Sequence, residues 1–200
     1  MATPAALGFR LHTGWAALLA VAGKPGKLEV LLSRRIELLP PGDSVPRFVY
    51  HVASELTESQ AADLVLRAEV ASQEAARIAV RDILDQLVGL NHEVKAAGLS
   101  SSSRPVPRDL SAILGSHPMI HTAEGALFQH AVASACGSCG LAVISLPERD
   151  VWLNAASAWG LKEAGLRKQV DSLRRSVGAP WGADQKTATA FALLALQSRN

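Results

Sequence analysis

The sequence predicts an α/β fold in which one mixed five-stranded sheet carries helices on both faces. Three observations point there. The N-terminal quarter alternates apolar runs with tight turns and shows no helical spacing. A single long amphipathic helix follows it. Beyond that helix, strand-like segments alternate with helical ones, which requires parallel crossovers, whereas the leading strands can pair as an antiparallel meander. The chain has 200 residues, 48% of them hydrophobic and 19% charged, so it can bury a sizeable core; it reads as one domain over 1–200.

The elements follow in order. Residues 6–22 form the first apolar block, interrupted by His12-Thr13-Gly14, and 28–38 form the next, with Lys24-Pro25-Gly26-Lys27 as the turn of a β-hairpin. Pro40-Pro41-Gly42-Asp43 is a second turn, and Phe48–Val52 is a third strand candidate. Thr57 and Gln60 have capping-box spacing, and Leu64, Ala68, Ala71, Ala75, Ile78, Ala79, Ile83 and Leu87 recur at helical spacing, so a helix runs to Leu90. Residues 91–99 read as a fourth strand, and Ser100–Ser103 with Pro105 and Pro107 as a loop. A short helix is expected over Asp109–Leu114, a longer one from about Thr122 to Ser134, and a fifth strand over Leu141–Leu146. Further helices are expected around Val151–Trp159, Lys162–Val177 and Asp184–Leu196. The order β-β-β-α-β-α-β, then helices, is the RNase H-like topology.

Several motifs resemble the RuvC-type Holliday-junction resolvases, in order and spacing, over roughly Pro118 to the end. Glu124–Ala131, leading through an alanine-rich helix to Leu141–Val143, is similar to that family's second helix and fifth strand. Pro147–Val151, Trp159-Gly160 and Lys168-Gln169-Val170 follow in the family's order. Ala183–Ala192 resembles its terminal helix, in which acids three residues apart precede small apolar residues. Leu7–Arg10 and Thr13-Gly14-Trp15 resemble its first strand and the following turn.

The resemblance implies phosphodiester cleavage by two metal ions, about 4 Å apart, held by four carboxylates. Most of that set is missing here. The first-strand acid falls at Arg10. The fourth-strand acid falls near Gly98, in a stretch with no acid between Glu93 and Asp109. Of the terminal-helix pair, Asp184 remains and Thr187 stands at the other position. A guanidinium at Arg10 would repel metal ions and is expected to pair with Asp184. No cofactor is therefore expected, and Mg²⁺ or Mn²⁺ only if a rebuilt site exists.

Candidates for such a site are Asp184, with Glu148 and Asp150 after the fifth strand and Glu124 in the preceding helix. Acids at 148 and 150 equally suit a helix start. His117, His121 and Glu124 offer a zinc or acid/base set, yet they lack a fixed ligand motif, and a surface helix start accounts for them more simply; no metal ligand is assigned.

Formal net charge is +2, too little to argue for a polyanion by itself. Arg10, Lys24, Lys27, Arg34 and Arg35 cluster near the N-terminus and are the candidate contacts to DNA or RNA, although solvated edge-strand charges explain them as readily. Cys136 and Cys139 fall at a helix C-terminus, where the dipole opposes a thiolate, so they read as two buried thiols at a turn rather than a redox pair. Trp15–Ala22 after Arg10 superficially suggests a secretory leader, but it pairs naturally with the next strand. No stretch is long and apolar enough for a membrane span, and a cytoplasmic location is expected. Three functions remain: a nucleic-acid- or partner-binding protein without nuclease activity, a nuclease with a rebuilt site, and a homodimeric interaction protein using the Thr57–Leu90 helix.

Overall fold

The computed structural model describes residues 1–39, 45–102 and 104–197. Its strands are β1 (Thr3–His12), β2 (Trp15–Lys24), β3 (Lys27–Glu37), β4 (His92–Ser100) and β5 (Ala142–Leu146). Its helices are α1 (Val49–Ala53), α2 (Glu58–Gly89), α3 (Leu110–Leu114), α4 (His117–Ser138), α5 (Val151–Ala158), α6 (Glu163–Ser172), α7 (Arg174–Val177) and α8 (Ala183–Gln197), with a 3₁₀ turn at Glu148–Asp150. The sheet order is β3-β2-β1-β4-β5. β1, β2 and β3 pair antiparallel, while β4 runs parallel to both β1 and β5.

Strand alternation divides the core in two. Leu7 and Phe9 of β1 face α2 and α4, with Leu64, Ile83, Leu127 and Phe128. Leu19 and Val21 of β2 face the other way, against Trp152, Leu166, Phe191 and Leu193 of α5, α6 and α8. The mixed sheet with helices on both faces is as the sequence predicts. At the start of α2, the Gln60 side chain accepts the Thr57 backbone N–H at 3.2 Å, one half of the expected capping box.

The five strands are assembled differently from the expectation in one respect. The block 6–22 is two strands, folded back at Thr13-Gly14, where Gly14 takes a φ of 79° that only glycine adopts easily. Residues 48–52, expected as a strand, lie mostly in helix α1. A strand would bury Phe48, Tyr50 and Val52 together; instead Val49, Tyr50 and Ala53 are buried, and Phe48 and Val52 are exposed. That spacing is helical, and a five-residue apolar run is too short for periodicity to decide in advance. α4 begins at His117 rather than near Thr122, with Pro118 in its first turn, where a missing N–H costs nothing. The helix expected over 162–177 is broken at Leu173 into α6 and α7. The turn expected at 40–43 lies outside the described residues.

Candidate functional site at the carboxyl edge of the sheet

β1, β4 and β5 are parallel, so their carboxyl ends share one edge, the usual location of sites in open α/β sheets. Arg10 and His12 are two apart near the end of β1 and therefore emerge on one face. That is the α8 face, because Gly8, two residues before Arg10, lies directly under α8. Asp184 sits in the first turn of α8, where the helix dipole favours a carboxylate. Pro147 ends β5, and the 3₁₀ turn after it presents Glu148.

These four side chains meet. Arg10 Nη2 and Nε donate to Glu148 Oε1 and Oε2 at 2.9 and 3.2 Å, a two-point pairing. Arg10 Nη1 donates to Asp184 Oδ1, and His12 Nε2 lies 2.9 Å from the same oxygen. Partial burial works against the Arg10 charge, but Glu148 and Asp184 outweigh it and hold the guanidinium pKa above its ordinary value. His12 also stacks on Trp15, with ring centroids 4.1 Å apart, and the Arg35 guanidinium covers that indole at 3.9 Å. One polar network thus runs from Arg35 over Trp15 and His12 to Asp184, Arg10 and Glu148.

The expected pairing of Arg10 with Asp184 is present. Asp150 stands apart, with its carboxylate 3.6 Å from Arg149 Nε and its carbonyl accepting from the Asn154 side chain. Glu124 lies in a different place. It is buried in α4, accepts the Tyr50 backbone N–H at 2.8 Å, and has a pKa raised by its burial, against the opposing pull of that hydrogen bond and of His51. Thr187 is buried in α8, and Gly98 is packed under α8 with no side chain to offer.

The basic candidates do not form one surface: Arg35 joins the Arg10 network through Trp15, and the other three lie elsewhere. Lys24 and Lys27 pair across the β2–β3 turn, at the opposite end of the sheet from Arg10. Arg34 and Arg35 are consecutive in β3 and point to opposite faces, Arg34 reaching Gln86 of α2 at 3.2 Å. Cys136 lies in the last turn of α4 and Cys139 caps it; burial, and then the neighbouring Cys139, push the Cys136 thiol up to about 12, so it stays protonated at neutral pH.

Sequence reasoning missed His12. Its two-residue spacing from Arg10 on a strand was the signal. It also missed the Trp15 platform, which the β1–β2 turn creates by bringing Trp15 opposite His12. His12 further lines an open pocket of about 260 Å³ together with Thr13, His51, His121, Glu124 and Gln129.

This strand order and helix placement define an RNase H-like fold of the RuvC type. The chain is similar to Thermus thermophilus RuvC, with a TM-score of 0.53 and 15% identity over 95% of this chain and 92% of that one. The same enzyme in complex with a Holliday junction substrate matches with a TM-score of 0.53 and 15% identity, over 95% of this chain and 90% of that one. The yeast mitochondrial Holliday junction resolvase Ydc2 matches with a TM-score of 0.47 and 11% identity, over 96% of this chain and 76% of that one. No family model and no curated protein matches the sequence. Among the described residues, no helix is long and apolar enough to cross a membrane.

Proposed function

We propose that this protein binds nucleic acid through a RuvC-like fold and no longer cleaves it by the two-metal route. One observation carries the reading: the Arg10 guanidinium engages both carboxylates at the edge of the sheet, Glu148 and Asp184. Two divalent ions need several hard oxygen donors with their charge uncompensated. Here two carboxylates share one fixed cation, and no acid lies on β4 beyond Glu93. That donor set does not fit a metal pair. Binding to DNA is supported by the likeness in fold to a protein seen with a Holliday junction.

The test is a paired binding and cleavage assay on four-way junction, single-stranded and duplex DNA. Binding is expected at low salt. A fourfold rise in salt should weaken it about a hundredfold if roughly four phosphates are neutralised. No Mg²⁺- or Mn²⁺-dependent product is expected. Cleavage that disappears in Asp184→Asn would replace this reading with a rebuilt nuclease site, and absence of binding to all three DNAs at low salt would remove nucleic acid as the partner.

A homodimer is a compatible second feature. Leu66 and Val70 are exposed one turn apart on α2, with Val88 on the same side five turns further along and charged residues between them; a second copy would cover these apolar side chains. Light scattering should then give twice the 21.1 kDa chain mass, and Val70→Glu should return it to the monomer mass. A monomeric native protein rules the dimer out.

A further inference from the structure

A second cluster lies beside the Arg10 centre, and neither the fold nor the proposed DNA binding accounts for it. His117 and His121 are one turn apart at the start of α4, so they project from one side of it. α1 packs against α4 and adds His51. One ring nitrogen from each of the three lies within 4.8 Å of the others. Ring centroids are 4.5 Å apart for His117 and His121, and 4.7 and 5.9 Å from His51 to His121 and His117.

The surroundings of His51 match what a ligating imidazole needs. Its Nδ1 is buried without a hydrogen-bond partner. The nearest carboxylate oxygen, Oε1 of buried Glu124, is 3.7 Å away, and the Tyr50 N–H holds that carboxylate in place. A metal-bound histidine characteristically gives its other N–H to a carboxylate, which fixes the ring and its tautomer. His51 can therefore present Nε2 to an ion while Nδ1–H turns to Glu124. In a tetrahedral site with metal–nitrogen distances of about 2.0–2.1 Å, ligand nitrogens stand roughly 3.4 Å apart. The His117 and His121 side chains are exposed, so rotation about their side-chain bonds is the movement that would close the set from 4.8 Å.

We propose that His51, His117 and His121 form a binding site for one divalent transition ion of the zinc class, with Glu124 as a positioning residue for His51. Three imidazoles select zinc, nickel or copper over Mg²⁺ and Ca²⁺, which prefer oxygen donors. The site takes three protein ligands and leaves a fourth position open. His51 and His121 line the pocket that also holds His12, Thr13 and Gln129, so the open position faces that pocket and a water molecule completes the tetrahedron. Three protein ligands and an accessible fourth position distinguish zinc sites that act on small ligands from closed structural ones.

The test uses the full chain without a histidine tag, stripped by chelator and titrated calorimetrically with Zn²⁺. Bound metal is measured after desalting, and thermal melting is followed in parallel. One equivalent per chain is expected, with a rise in Tm on loading and no competition from excess Mg²⁺. His117→Ala and His121→Ala should each lower affinity at least a hundredfold and abolish the Tm rise. Both side chains are exposed, so neither change should unfold the protein. Glu124→Gln should cost 10- to 100-fold while keeping the Tyr50 hydrogen bond. His130→Ala, on the same helix but against a different pocket, should bind as the native protein does. Retention of less than a tenth of an equivalent by the native protein, or native affinity in both His117→Ala and His121→Ala, overturns the site. Native affinity in Glu124→Gln alone overturns the positioning role.

Discussion

Gly8→Ala is expected to lower stability by about 3 kcal/mol, the upper end of the range for overpacking. Gly8 sits in β1, the middle strand of the sheet, held on both sides by β2 and β4. Its register partner on β4 is another glycine, Gly98. α8 lies directly across this pair. A Cβ at Gly8 would stand 1.9 Å from the Ala188 carbonyl oxygen and 2.4 Å from the Ala192 nitrogen, and one at Gly98 would stand 2.3 Å from the Phe191 carbonyl oxygen. These are backbone atoms, so no side-chain rotation relieves the clash. The helix must lift, and with it the contacts of Phe191 and Leu193, which are fully buried. Asp184 rides on the same helix, so Gly8→Ala should also loosen its pairing with Arg10. Urea unfolding of Gly8→Ala checks this against Gly125→Ala, where nothing lies within 4 Å of the added carbon. That control should be neutral or stabilised by up to about 1 kcal/mol, since alanine favours the helix. A loss under 1 kcal/mol in Gly8→Ala would mean that α8 does not lie this close to the sheet.

Those glycines illustrate what was legible in the sequence and what was not. Alternation, turn residues and the long Leu/Ala period disclosed the layers, the long helix and the parallel half of the sheet, because those signals are local. The alignment of Arg10 with Asp184 was legible too, through a resemblance in motif order. Close approach was not. Gly8 and Gly98 lie far apart in sequence, and only the sheet register sets them side by side under α8. The short run at 48–52 carried no decisive period, and tertiary burial of Val49, Tyr50 and Ala53 made it a helix. His51 was invisible for the same reason: it reaches His117 and His121 only because α1 is a helix docked on α4, whereas a strand there would have placed it elsewhere. Glu124 was legible beside His117 and His121, but its inward contacts were not: it accepts the Tyr50 N–H and lies against His51, both brought to it by α1.

Arg10→Asp is expected to convert the pairing centre into a metal-dependent one. In the native protein, one cation balances Glu148 and Asp184; the side chains of Arg10, Glu148 and Asp184 are 23%, 43% and 31% exposed. Exposed pairs contribute up to about 1 kcal/mol, whereas breaking a fully buried pair costs 3–5 kcal/mol. Partial burial with two-point geometry lies between these limits, so removal of Arg10 should cost about 2 kcal/mol. Replacing it with a carboxylate adds repulsion among three acids and brings the loss to roughly 3 kcal/mol in chelator, or roughly 6–12 °C in Tm for a chain of this length. A third carboxylate also creates an all-oxygen donor set that Mg²⁺ prefers. Mg²⁺ should therefore raise the Tm of Arg10→Asp in a concentration-dependent way, because an ion that binds only the folded state stabilises it by mass action. The native protein should show no such rise, since its carboxylates are already balanced by a fixed charge and its three clustered histidines are poor ligands for Mg²⁺. Adding Thr187→Asp should be harsher, because Thr187 is buried in α8 and a new charge there has no partner without an ion. Equal Mg²⁺ shifts in native and Arg10→Asp proteins would show that Arg10 does not keep divalent ions out, and would return the centre to the class of working metal sites.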